Sequence, residues 1–153
     1  MLRISLAFLH LLALGIGLGA VWARARAFRM PPDRAAIQRA FTADAWWGAA
    51  AALWIASGLW RLLAGTEKAT GYYLQNHLFL AKMGGLVLIL ALELYPMTVL
   101  VRWRAASARG TLQPDAVSGP ARRIGVISYV ECGVVVLMVL AAVMMARGYG
   151  AAG

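Results

Sequence analysis

HLFLAKMGGLVLILALELY, residues 77–95, decides the fold. Within it only Lys82 and Glu93 are charged. A helix rises about 1.5 Å per residue, so about 20 mostly apolar residues cross a hydrocarbon core about 30 Å thick. Transmembrane strands are about 9–11 residues long and alternate in polarity; this run does not alternate. The stretch therefore predicts a spanning helix. Three more blocks of similar length lie around it, over about 2–22, 43–63 and 124–145. Together they predict an all-α, integral membrane four-helix bundle forming a single domain over residues 1–153.

Composition agrees. Hydrophobic residues make up 62% of the chain and charged residues 14%, against about 45–50% and about 25% in soluble domains. The net charge of +9 is spread over the flanks of the apolar blocks. That distribution suits lipid head groups and topology, and no nucleic-acid-reading module is visible, so no nucleic-acid partner is expected. The single cysteine, Cys132, makes neither an internal disulfide nor a multi-cysteine metal site, and reads as a small buried hydrophobe. The first block exceeds the apolar length of a signal peptide and is followed at once by Arg24, Arg26 and Arg29, so it reads as a retained helix.

Lys and Arg set the orientation. The connection over about 23–42 holds Arg24, Arg26, Arg29, Arg34 and Arg39; that over about 96–123 holds Arg102, Arg104, Arg109, Arg122 and Arg123. The other side has Arg3, Arg61, Lys68 and Arg147. The positive-inside rule puts the Arg-rich loops in the cytoplasm and both termini on the periplasmic or outer side of a bacterial inner membrane. Pro31-Pro32-Asp33 ends one segment and caps a short helix leading into the second block. Gly110 through Pro120, with Pro114, Ser118 and Gly119, reads as a loop. Trp22, Trp46, Trp47, Trp60, Tyr72, Tyr73, Tyr95 and Trp103 lie near span ends and read as an interfacial aromatic belt. Gly15 and Gly19 form a small-xxx-small pair suited to close helix packing, within this chain or in a homo-oligomer.

Polar groups inside the spans carry the functional signal, because a charge at the bilayer centre costs about 2.5–3.5 kcal/mol and normally faces a partner. They are His10, Lys82, Glu93 and Glu131, with Asp44 and His77 at span ends. Helix rise puts His10 and Lys82 at similar depth in the outer half. Lys82 and Glu93 share one stripe of the third block, with Gly85, Leu86 and Ile89 between them. His10 shares its face with Ala7, Ala13, Gly17 and Arg24. Glu93 and Glu131 fall in the inner half, with Arg24 and Arg102 at the inner rim. Each residue also has a plainer reading: Lys82 snorkels, Glu131 bonds a neighbouring helix, and His10 is a structural hydrogen-bonding histidine. No phosphate loop, serine elbow, zinc signature or dinucleotide fingerprint is present.

Several segments carry a resemblance: Leu9-His10 with Trp22 and Arg24, Ser57-Gly58-Leu59-Trp60, Asn76-His77-Leu78-Phe79-Leu80-Ala81-Lys82, and Arg122-Arg123 followed by Glu131. Over nearly its whole length the chain resembles an uncharacterised bacterial membrane family, domain of unknown function 2214. More distantly it is similar to the HemJ-type protoporphyrinogen oxidases and the copper-resistance D membrane proteins. The HemJ resemblance implies haem b, with His10 and Lys82 as cofactor-binding residues and Glu131 matching a fourth-helix glutamate. The residue before Glu131 is Val130 where that family has Asn. Three expectations follow. The first is a haem- or porphyrin-binding redox bundle of the porphyrinogen-oxidase type, with His10 as iron ligand and Lys82, Glu93 and Glu131 as catalytic or proton-relaying groups. The second is a non-enzymatic membrane subunit or assembly factor. The third is a small transporter or ion-coupled channel lined by the same charges.

Overall fold

A computed structural model of the chain describes residues 1–64, 70–113 and 117–150. Lys68 and Pro114 lie outside the described residues, as does the side chain of Tyr72. The described chain is α-helical: α1 Leu2–Ala27, α2 Arg34–Leu63, the single turn-and-a-half α3 Thr70–Leu74, α4 His77–Ala108 and α5 Ser118–Ala146. The four long helices are the four expected blocks. Three of them, α1, α4 and α5, are long and apolar enough to cross a membrane by length and composition. α2 is as long, but its first turns carry Arg34, Gln38, Arg39 and Asp44.

Local chemistry sets the helix ends. Asp33 caps α2 by accepting from the Ala36 N–H at 2.6 Å, as its position after Pro31-Pro32 predicts. Asn76 is wholly buried and caps α4, accepting from Leu78 N–H at 2.9 Å and Phe79 N–H at 3.3 Å. Gly110 ends α4 at φ 70°, with its N–H bonded to the Ser107 carbonyl at 3.0 Å; a side chain there would be strained. Pro96 sits inside α4, buried, and removes one rung of the helix ladder next to the functional region.

The helices are longer than the bilayer requires. α4 has 32 residues, about 48 Å of helix against a hydrocarbon core of about 30 Å. The expected short helix before the second block is continuous with it, so α2 starts at Arg34. The expected loop over Gly110–Pro120 is shorter than predicted. α5 begins at Ser118, with Pro120 accommodated in its first turn, where no intrahelical donor is needed.

Packing follows the apolar stripes. The extensive contacts pair α1 with α2, α1 with α5, and α4 with α5. α1 is therefore central, with buried positions Ala13, Gly17, Ala20, Val21, Arg24 and Ala25 forming one stripe. Two hydrophobic clusters result. One holds Ala13, Ala20, Val21, Trp47, Trp54, Ile89, Cys132, Val135 and Met138. The other holds Phe28, Ile37, Ala40, Phe41, Leu100, Trp103, Val117, Ala121 and Ile124, and uses the helix extensions beyond the end of α1.

Two packing expectations change. Gly15 and Gly19 face open space, and Gly17 makes the close approach: a Cβ there would lie 3.2 Å from the Trp47 ring. Trp22, Trp46 and Trp60 are exposed, as a belt requires, whereas Trp47 and Trp103 are buried in the two cores. Span-end position alone does not fix which way a ring points.

Candidate functional site

Between the two apolar clusters lies a charged one, centred on Arg24 of α1. Its side chain has no solvent exposure. A guanidinium carries five N–H donors in a planar fork, and all five are used. Nε donates to Ser128 Oγ at 2.9 Å. Nη1 donates to Asp44 Oδ1 at 2.8 Å and Glu93 Oε1 at 2.6 Å. Nη2 donates to Glu93 Oε2 and Glu131 Oε2, both at 2.7 Å. The Glu93 contact is a two-point, charge-assisted pair, the strongest form of such a bond. One side chain thus ties all four long helices together.

A second layer extends the network. The Trp47 indole N–H donates to Glu93 Oε2 at 3.1 Å. Arg104 Nη2 donates to Asp44 Oδ2 at 2.9 Å and to the Phe41 carbonyl at 2.8 Å. The Arg104 guanidinium also lies over the Phe41 ring, 5.2 Å from its centroid, a cation–π geometry. The Arg104 side chain is 37% exposed, so the network reaches from the surface at Arg104 through Asp44 to the buried Arg24–Glu93–Glu131 centre. Three carboxylates face two guanidiniums there, and Glu131 Oε1 is buried with no hydrogen-bond partner among the described residues.

Glu93 and Glu131 therefore meet, as their shared depth predicts. The position of Arg24 at the end of the first block predicts a place at the inner rim, yet it is the hub. Its signal was present in the sequence: it shares the His10–Ala13–Gly17 face of α1, which turns inward. Arg102 was expected at the rim and is exposed; Arg104, two residues on, joins the network instead. Asp44, read as a span-end residue, is a full member.

His10 lies elsewhere. It is fourteen positions before Arg24, about 21 Å along α1. Its Nε2 accepts from the Trp54 indole N–H at 2.9 Å, and its Nδ1 lies 2.9 Å from Ser57 Oγ. Ser57 Oγ in turn donates to the Trp54 carbonyl at 3.0 Å. An indole N–H only donates, so Nε2 must accept, and Nδ1 carries the hydrogen given to Ser57. The ring seats against Gly58, where a Cβ would be 3.1 Å from His10 Cε1. An axial haem ligand offers a nitrogen lone pair to iron. Here that of Nε2 is taken by the Trp54 N–H. The residues present do not fit a haem ligated by His10. Lys82 is half-buried on α4, about 16 Å of helix from Glu93, and so stands apart from the charged centre. His77 is exposed at the start of α4, its backbone N–H bonded to the Gly150 carbonyl at 3.1 Å. Among the described residues no three His, Cys, Asp or Glu side chains are grouped to hold a metal ion.

No curated protein and no solved structure matches this chain, so the distant likeness to the HemJ-type and copper-resistance D families gains no support from those comparisons. A family model does match. It is described as a predicted membrane protein, domain of unknown function 2214, and it covers residues 2–150, so the chain belongs to that family of membrane proteins.

Proposed function

We propose that this protein is a proton-coupled membrane bundle whose exchange site is the Arg24–Asp44–Glu93–Glu131 cluster. The observation that carries the reading is Glu131 Oε1, a buried carboxylate oxygen without a hydrogen-bond partner among the described residues, in a cluster of three carboxylates and two guanidiniums. Such a group is costly in a low-dielectric interior unless something neutralises it. One proton makes the cluster neutral and turns the orphan oxygen into a hydroxyl. The transfer is simple: a hydronium on the Arg104 side gives its proton to the Glu131–Glu93 pair, one carboxyl O–H forms, and water remains. The groups facing this pair are Arg24 from α1, Asp44 and Trp47 from α2, and Ser128 from α5, with Arg104 of α4 beyond Asp44. The apolar layer of Val21, Ile89, Val135 and Met138 lies on the far side. The site thus exchanges with the Arg104 side of the membrane, as a sensing or coupling element does, and does not form an open pore.

Infrared difference spectroscopy on protein reconstituted in lipid nanodiscs tests this. A pH step should change a protonated-carboxyl band, and Glu131→Gln should remove that change while the helices persist. A pH step with no carboxyl signal, or one unaltered in both Glu131→Gln and Glu93→Gln, would overturn the proposal. The saturation of Arg24 favours a second reading, in which the cluster only fastens the helices of a membrane subunit. That reading predicts a silent spectrum and a loss of stability alone.

A further inference from the structure

The α1/α2 pair encloses a surface groove that no other part of the described chain covers. Its floor is made of small residues, Gly19 and Ala20 among them, and it runs from Ile16 beside Trp46 up to Arg26 and Arg39. Small side chains on two adjoining helices leave an open furrow between them. From Ile16 to Arg26 is ten residues, or about 15 Å of helix, which is half of a hydrocarbon core of about 30 Å. The groove is therefore one leaflet deep. Its upper end is basic: Arg26 and Arg39 are both exposed, and neither has a carboxylate at salt-bridge distance among the described residues. Gln38 and Thr42 add polar groups beside them.

We infer that this groove is a binding site for one anionic phospholipid, with its phosphate between Arg26 and Arg39 and one acyl chain along the Gly19 floor. Two guanidiniums without a carboxylate partner among the described residues complement a phosphate, which they bind through paired N–H donors. The lower furrow complements a chain of the length that one leaflet supplies. Neither feature needs the charged cluster on the other face of α1, so the site stands whether or not that cluster exchanges protons.

Native mass spectrometry of the detergent-purified full chain tests the assignment, with phosphatidylglycerol, phosphatidylcholine and inorganic phosphate as separate probes. Phosphatidylglycerol should be retained in preference to phosphatidylcholine, and inorganic phosphate alone should not bind. A basic residue near a membrane surface contributes about 1 kcal/mol to anionic lipid binding, so Arg26→Gln with Arg39→Gln should weaken retention roughly 30-fold. Arg34→Gln, outside the groove, should not. A Cβ added at Gly19 would meet no atom within 4 Å among the described residues, so Gly19→Leu places its side chain in the open furrow and should lower retention in a folded protein. Equal retention of the two lipids, binding of phosphate alone, or no effect of the double variant would each overturn the inference. So would a dimer that Gly19→Leu dissolves, because a second copy would then be the occupant.

Discussion

Arg24→Gln removes the charge that holds three carboxylates, and leaves the wholly buried Glu131 and the largely buried Glu93 without a cation. Breaking a buried ion pair by deleting one partner costs about 3–5 kcal/mol, because the remaining charge has no compensation. The variant should therefore melt well below the wild type in detergent, as scanning fluorimetry would measure. Arg24→Lys keeps the charge but has one nitrogen where five donors converge on four residues, so it should be intermediate. Glu131→Gln acts oppositely: it keeps an oxygen for the bond to Arg24 and removes the surplus negative charge, so its stability should be equal to or above wild type. A Glu131→Gln protein as unstable as Arg24→Gln would contradict the charge count. Position in a span made Glu93 and Glu131 legible as a pair. It did not make Arg24 legible as their partner, because an arginine near a span end fits the positive-inside pattern equally well.

At the scale of helices, α1 and α2 meet at Gly17. Its missing side chain lets the Trp47 ring and Ala50 lie at contact distance. The same ring donates to Glu93, so helix packing and site geometry are linked through one residue. Gly17→Val should overpack this contact and cost about 1–3 kcal/mol, and it should also disturb the cluster through Trp47. Gly15→Ala faces open space and should be neutral or slightly stabilising, since alanine is the better helix former. Thermal denaturation of the two variants side by side checks both. Equal effects would mean that Gly15 also packs. A glycine-rich run announced a close helix approach, but the 3.6-residue period leaves several glycines to choose from. Only the rotation of α1 about its own axis selects Gly17.

For the whole molecule, the excess of arginine in the first and third connections predicts that those connections face the cytoplasm. Cysteines introduced at Arg29 and at Tyr149, both exposed, test this in a Cys132→Ser background. A membrane-impermeant maleimide should label Tyr149→Cys in intact cells and Arg29→Cys only after the cells are opened. The reverse pattern would invert the topology and put the Arg104 entrance on the outside. The helix extensions beyond α1 bear on the same point. Phe28, Ile37, Phe41, Leu100 and Trp103 close a second apolar core on the Arg-rich side, which buries the charged cluster from that end and leaves Arg104 as its exposed edge.

Length, hydropathy and arginine distribution alone determined an all-α membrane bundle, its four long helices and the depth of its polar residues. These follow from helix rise and from the bilayer's thickness, which are local quantities. The tertiary structure decided which polar groups meet. It took His10 into bonds with Trp54 and Ser57, kept Lys82 apart from the charged centre, and gathered Arg24, Asp44, Glu93, Ser128 and Glu131 from four helices. Depth fixes one coordinate of a side chain. Its partner depends on how each helix is rotated and which helices are neighbours, and in this chain those are set by small residues such as Gly17 and Gly58, whose positions matter only once the helices are packed.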